Sequence, residues 1–436
     1  MRRILLILNA ILMAVCCYAD GKYNVFPSDF GNNYVLRGRT VKVPITINNT
    51  GAASVRTISY VITRDGVESA QRTVSVSVVS GGTGEATITF KADSVARKSS
   101  VTFAITKVNS QPNECEDAVS SGNIITITEK PVVVPVVEEF TGTWCGWCPI
   151  GFDGVENAHA TFGDKVALIA IHCSDIMECS DFSALNGRVS GYPGAIIDMI
   201  QGDFYPSTGE VKDKINQQIQ NKIAGATIKV TAEWTTSAQK YINITTKTKF
   251  VFSDDNANYA IAYALTEDGM HGTGSSWAQN NNLSGNSNYA KSNPFWYNSP
   301  SKVTDIKFNH VGVAAWGIEK GINGSVPPVV VAGEELKYTY KANISTNKLI
   351  QDKSNLKVIV MLIDRSTGTI VNAAQTAIED YTTGIADIDV EESPMSSQSE
   401  GQGGIYDLNG RRVSAPQRGI NIIRMPDGTV RKVMVK

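Results

Sequence analysis

Val132-Val133-Val134-Pro135-Val136-Val137-Glu138-Glu139-Phe140-Thr141-Gly142-Thr143-Trp144-Cys145-Gly146-Trp147-Cys148-Pro149 is the stretch that decides the fold of the middle of this chain. Residues 132–137 are almost all β-branched, the composition of a strand buried on both faces, as in a parallel or mixed sheet under helices. Beyond Cys148, the residues Phe152, Val155, His159 and Phe162 recur at helical spacing, and residues 166–171 read as a second buried strand. Two cysteines two residues apart therefore stand at a strand-to-helix junction. Unpaired N–H groups and the helix dipole there favour a thiolate, which makes Cys145 the attacking nucleophile. Cys148, one turn into the helix, would resolve the mixed disulfide by attacking Cys145.

Farther along the chain, Ser207 and Glu210 form a capping pair ahead of Val211, Ile215, Ile219 and Ile223, a helix that closes an α/β domain of residues 131–225. On the N-terminal side, residues 41–47, 73–78, 86–90 and 101–105 alternate with period two between Gly, Asn and Ser turns. That pattern reads as an immunoglobulin-like β-sandwich over residues 20–130. On the C-terminal side, residues 228–232, 241–244 and 356–363 predict a second β-sandwich, residues 226–382. Its centre, residues 272–298, is rich in Asn and Ser and carries Trp277, Trp296 and Tyr297. Such a loop either binds surface glycans or peptides or is a surface excursion with a few packed rings. Residues 383–404 have the composition of a flexible linker, and residues 405–436 form a small β-hairpin tail module around Asn409-Gly410 and Asp427-Gly428. The expected class is multidomain, α/β plus all-β.

A length of 436 residues fits roughly three domains at about 150 residues each. Forty basic against forty-two acidic residues give a charge of −2, which provides no footprint for nucleic acid or an anionic membrane. Arg2 and Arg3 ahead of the apolar residues 4–15 form a secretory signal with cleavage after Ala19, a lipoprotein beginning at Cys17 being the second reading. No segment reaches the ~20 apolar residues needed to span a bilayer. The mature chain is therefore expected in the periplasm, at the outer membrane or cell surface, or outside the cell, with at most peripheral membrane association.

Outside the signal lie Cys115, Cys145, Cys148, Cys173 and Cys179, an odd number, so at least one is left over. Cys173 and Cys179 either form a second, structural disulfide or shuttle electrons with the first pair. No second Cys or His pair has zinc spacing, and His159 and His172 stand alone, so neither metal nor cofactor is expected. His172 and His310 read as packing residues, and Glu138 as a solvated or paired group on the strand face opposite Glu139.

The segment from Glu139 to Pro149, with Trp144 before the first cysteine, resembles the active site of the thioredoxin family. The resemblance implies that Glu139 is the buried acid serving the resolving thiol, and that Pro193 in Gly191-Tyr192-Pro193-Gly194 is the cis-proline facing the cysteines. The whole order of signal, sandwich, thioredoxin-like domain and second sandwich resembles the twenty-eight-kilodalton outer-membrane protein (Omp) family of Bacteroidetes, with Phe308-Asn309-His310-Val311 and Trp316-Gly317 matching its C-terminal signature. The tail, through residues 405–413, Gly419-Ile420 and Lys432-Val433-Met434-Val435-Lys436, resembles type IX sorting modules. Two functions are expected on these grounds. One is an exported thiol–disulfide oxidoreductase acting with a redox partner on exported proteins that carry thiols or disulfides. The other is a surface binding or adhesion protein whose thioredoxin-like domain is a scaffold with a structural disulfide.

Overall fold

The computed structural model describes residues 21–381, 404–407, 410–417, 419–424 and 430–435. The secretory signal, the linker and the turn residues Asn409, Asp427 and Gly428 lie outside the described residues. Residues 1–381 and 382–436 form two separate compact units.

The chain is β-rich, with several sheets. Its N-terminal part packs two sheets over one core. The strands Val25–Pro27, Thr40–Asn49 and Thr83–Lys91 face a larger sheet that includes Gly31–Leu36, Val55–Arg64, Lys98–Val108 and Val119–Ile127. Period-two alternation sends Val43, Ile45, Ile47, Ile58 and Phe103 inward, where each is essentially excluded from water. This part docks on the segment around Val251 to Asp254: Lys98 N donates to Ser253 O at 2.9 Å, Thr128 N to Val251 O at 3.0 Å, and Lys98 Nζ meets Asp254 Oδ2 at 3.0 Å.

The centre is one seven-stranded mixed sheet. We label its strands β1 (Val136–Thr141), β2 (Ala167–His172), β3 (Gly194–Ile197), β4 (Tyr259–Glu267), β5 (Val311–Trp316), β6 (Leu356–Asp364) and β7 (Thr369–Ala377). Their spatial order is β3-β1-β2-β5-β4-β6-β7. β1 and β2 run parallel, β3 is antiparallel to β1, and β2 meets β5 at the parallel pair Ala170 and Val311. Helix α1 (Pro149–Phe162) connects β1 to β2, and helix α2 (Thr208–Asn221) starts at Ser207, whose Oγ accepts from Glu210 N at 3.3 Å. Val137, Val155, Ala158, Leu168, Val211 and Ile215 close the layer between helices and sheet.

Two expectations change here. The first strand begins at Val136, four residues later than the β-branched run suggests, and Val132 is exposed. Pro135 has no N–H to give to a ladder, and Val134 N bonds the Asn372 side chain at 2.9 Å instead. The shift places Glu138 and Glu139 in the strand interior. The boundary near residue 225 also does not separate two sheets: β4 to β7 extend the sheet that β1 to β3 begin. Ala226–Trp234, Tyr241–Phe250 and Glu335–Asn343 make a three-stranded sheet of their own, which packs over the core around Tyr263, Val313 and Val360, and Gln279–Asn280 pairs with Lys302–Val303 as a two-stranded ribbon. Sequence periodicity identifies strands but not their partners, and partners joined across long stretches of chain are what distinguishes a continued sheet from a second sandwich.

In the second unit, Gly404–Tyr406, Arg412–Val413, Gly419–Arg424 and Val430–Val435 form a four-stranded antiparallel sheet.

Candidate functional site

Cys145 and Cys148 are joined as a disulfide at the N-terminus of α1, with Cys148 as the residue that starts the helix. Pro149 follows at the first helical position, where the missing N–H costs nothing. The peptide bond Tyr192–Pro193 is cis, and Pro193 is buried behind this turn. Trp144 and Tyr192 pack edge to face at 5.4 Å, and Trp144 Nε1 donates to Cys173 O at 2.7 Å.

Glu139 points from β1 towards the first turns of α1. A β-carbon on Gly151 would land on Glu139 Oε1 and within 3.1 Å of Pro193 Cβ, so the helix, the acid and the proline meet where only glycine fits. Glu139 is buried and its Oε1 has no hydrogen-bond partner. Burial pushes its carboxyl up to about 8, a shift that the Thr141 hydroxyl offsets only in part. Glu139, Trp144, Cys145 and Cys148, neighbours in sequence, are thus joined by the distant Pro193 where β1 leads into α1.

Glu138 leaves the other face of β1, as the strand period requires, but it is neither solvated nor paired. It is fully buried, both carboxyl oxygens lack a partner, and burial followed by the charge of Asp198 holds its carboxyl well above the ordinary range. The face is closed by Phe182 and Leu185 of the 3-10 segment Ser180–Arg188 and by the continued sheet, which sequence reading did not place there.

Cys173 and Cys179 are free thiols, so the second disulfide expected from their spacing is not formed. Cys173 Sγ turns to Ile171 O at 3.8 Å and Asn186 Oδ1 at 3.7 Å, while Cys179 lies beside Asp181 at the start of the 3-10 segment. Burial raises both thiols, that of Cys179 to about 11, which disfavours the thiolates that disulfide exchange requires.

The Asn- and Ser-rich segment packs back onto the body of the protein, with Trp296 fully buried, as in the reading of an excursion with packed rings. It is a cap on the disulfide turn. Gln279 Nε2 donates to Gly142 O at 3.3 Å and Cys145 O at 2.9 Å, Asn280 N to Thr143 O at 2.8 Å, Asn280 Nδ2 to Trp144 O at 2.7 Å and Asn282 N to Gly146 O at 2.8 Å. Five consecutive carbonyls of the turn are thereby satisfied, each bond contributing about 1 kcal/mol net. A β-carbon on Gly146 would strike the end of the Asn282 side chain, so any larger residue at this position would displace that part of the cap. Trp296 is fully buried and donates to Asp153 Oδ1 at 2.9 Å, with Phe152 and Phe308 packed around it. The cap leaves Cys145 only 5% exposed.

Behind the cap, Asn309 Nδ2 donates to Glu156 Oε1 at 2.9 Å, and His172 Nδ1 lies 2.7 Å from Asp175 Oδ2. Burial alone would raise the Asp175 carboxyl, but His172 and the N–H groups of Thr143 and Met177 hold it below the ordinary value. His310 is buried beside His159 with its Nε2 unpartnered, and burial lowers it to about 4, which keeps the ring neutral. Gln279, Asn280, Asn282 and Glu156 carry no motif by which sequence reading could have found them, and Asn309 stood only in the Phe308-Asn309-His310-Val311 signature, with no role attached to it. The one signal was the run Gln279-Asn280-Asn281-Asn282, whose amides suit backbone satisfaction. Among the described residues no group of three or more His, Cys, Asp or Glu could hold a metal, and no helix is long and apolar enough to cross a membrane.

No family model matches this chain, and no curated protein does. Among solved structures, HBP35 of Porphyromonas gingivalis aligns over 70% of this chain and 99% of its own, at 14% identity and a TM-score of 0.44. Protein AGR_C_4864 from Agrobacterium tumefaciens aligns over 57% and 95%, at 11% identity and a TM-score of 0.31. A domain of the outer membrane lipoprotein Omp28 from Porphyromonas gingivalis aligns over 37% and 93%, at 16% identity and a TM-score of 0.20. The chain is similar to these proteins at a level that assigns it to no family.

Proposed function

We propose that this chain is an exported thiol–disulfide exchange protein in which the β1-α1-β2 unit with β3 serves as a thioredoxin-like centre. One observation carries the reading: the Cys145–Cys148 disulfide opens α1, and the unpartnered Oε1 of the buried Glu139 and the cis-bonded Pro193 both meet that helix at Gly151. A buried carboxyl oxygen without a partner is costly to folding, and proton transfer to the leaving sulfur of the disulfide gives it a use. In the oxidised form, a substrate thiolate attacks Cys145 Sγ and the Cys145–Cys148 bond breaks. The electron pair leaves on Cys148, and Glu139, protonated at neutral pH, supplies the proton. A second substrate thiolate then attacks the mixed disulfide and releases Cys145 as a thiolate, which the N-terminus of α1 stabilises. The substrate dithiol is oxidised by two electrons and the protein disulfide is reduced. Run in reverse, the same steps reduce substrates.

The second reading, a surface binding protein with a structural disulfide, is favoured by the cap that covers Cys145. Dithiothreitol-driven insulin reduction separates the two. The exchange reading expects turnover that Cys145→Ser abolishes, and mixed-disulfide partners trapped on Cys145 in the Cys148→Ser protein. Equal rates for wild type and Cys145→Ser would overturn it.

A further inference from the structure

Glu139 has no direct route to solvent, since it is 2% exposed and sealed by α1, β2 and the cap. Beside it lies a cavity of about 20 Å³ edged by Glu139, Thr141, Glu156, His172, Gln279 and Asn309. About 10–15 Å³ admits one water, and a buried water needs two to four polar partners, which these groups provide. The cavity therefore adjoins Glu139 and two other titratable side chains, Glu156 and His172.

Of those two, His172 leads inward. It is 3% exposed, and Asp175, which accepts from Thr143 N and Met177 N, holds its Nδ1. Glu156 leads outward. It stands on α1, partly exposed, with Asn309 from the segment before β5 fixing Oε1 and the exposed His159 one turn further along. Resting on the exchange reading above, we propose that Glu156 is the proton-exit residue of this centre, relaying protons between Glu139 and solvent through one water held in the cavity.

The step balances. Cys148 leaves as a thiolate and takes the Glu139 proton, Glu139 recovers one from the water, the water from Glu156 and Glu156 from solvent. The charged and titratable groups facing this path are Asp153 and His159 on α1, His172 at the end of β2 with Asp175 behind it, Cys173 just beyond β2, Asp268 after β4, and His310 before β5. Burial raises the Glu156 carboxyl against the Asn309 bond and the His159 charge, which brings it nearer in acidity to Glu139. A relay works best between groups of matched acidity.

The test uses the full chain in insulin reduction, with rates measured across pH in H2O and D2O. Glu156→Gln is expected to slow turnover roughly tenfold, to enlarge the solvent isotope effect and to leave the melting temperature unchanged. Glu156→Asp, or Glu156→Ala supplied with formate, is expected to recover most of the rate. A Glu156→Gln protein with wild-type rate and pH profile overturns the relay while the exchange reading stands. Slowing that neither Asp nor formate relieves also overturns it, since it marks a structural role. A wild type without turnover removes the exchange reading and the relay together.

Discussion

Glu138 and Glu139 leave β1 in opposite directions, and both are buried with at least one carboxyl oxygen unpartnered, yet the two faces are built differently. On the Glu139 face there is a helix that begins with a disulfide, a cavity of one water's size and a partly exposed second carboxyl. On the Glu138 face there is close apolar packing around Phe140, Ile169, Phe182 and Met361, with Asp198 fixed by Lys222 Nζ at 2.7 Å. Burial alone raises a carboxyl on either side. Only the Glu139 side adds a sulfur to serve and a path for the proton, so acidity by itself does not mark a working acid.

The largest expected effect tests that contrast. Glu139→Gln should slow insulin reduction about a hundredfold and Glu138→Gln should leave it unchanged, as read by initial rates. Equal losses would erase the distinction between the faces.

Stability against pH comes next. Both carboxyls are raised in the folded protein, so the folded state binds more protons than the unfolded one, and stability falls as pH climbs from the ordinary carboxylate range through about 8. Melting curves from pH 5 to 9 should show this decline, and each Gln variant should flatten it. A decline unchanged in both variants would mean that neither acid is protonated in the folded state.

Gly151→Ala should cost about 1–3 kcal/mol, because its methyl group falls on Glu139 and Pro193. Chemical denaturation reads this directly. A neutral result would mean that α1 can move off the acid.

The smallest effect belongs to the cap. Asn280→Ala removes the bond to Trp144 O, costs about 1 kcal/mol, and should speed dithiothreitol reduction of Cys145–Cys148 several-fold by loosening the lid. An unchanged rate would show that Cys145 is reached from another side.

The helix of the disulfide turn and the sandwich ahead of it were legible in local pattern: helical spacing after Cys148, and period-two alternation through residues such as Ile45 and Ile47, whereas Glu139 as the buried acid came from family resemblance. The cis bond at Pro193 came from family resemblance, because no local feature distinguishes it from a trans bond. What could not be read was whatever depends on distant partners. Glu138 looked solvated because nothing in its own strand announces the 3-10 segment that covers it. Cys173 and Cys179 looked paired because their spacing allows a bond, whereas Asn186 and Asp181 draw the two thiols to different neighbours. Gln279 and Asn280 looked like loop residues because an amide that satisfies a carbonyl far away in the chain has the composition of any polar loop.

The insertion of β5 beside β2 bears on how this protein can be dissected. A fragment ending at the apparent seam near residue 225 would strip β5 from β2 and expose the all-apolar backbone edge of Ala167-Leu168-Ile169-Ala170-Ile171, together with the carbonyls that residues 279–282 now occupy. An uncovered hydrophobic strand edge is a template for intermolecular pairing. The cysteine centre is therefore not a detachable cassette, and its transfer to another protein would have to carry the roughly 150 residues between the seam and the end of β7 with it.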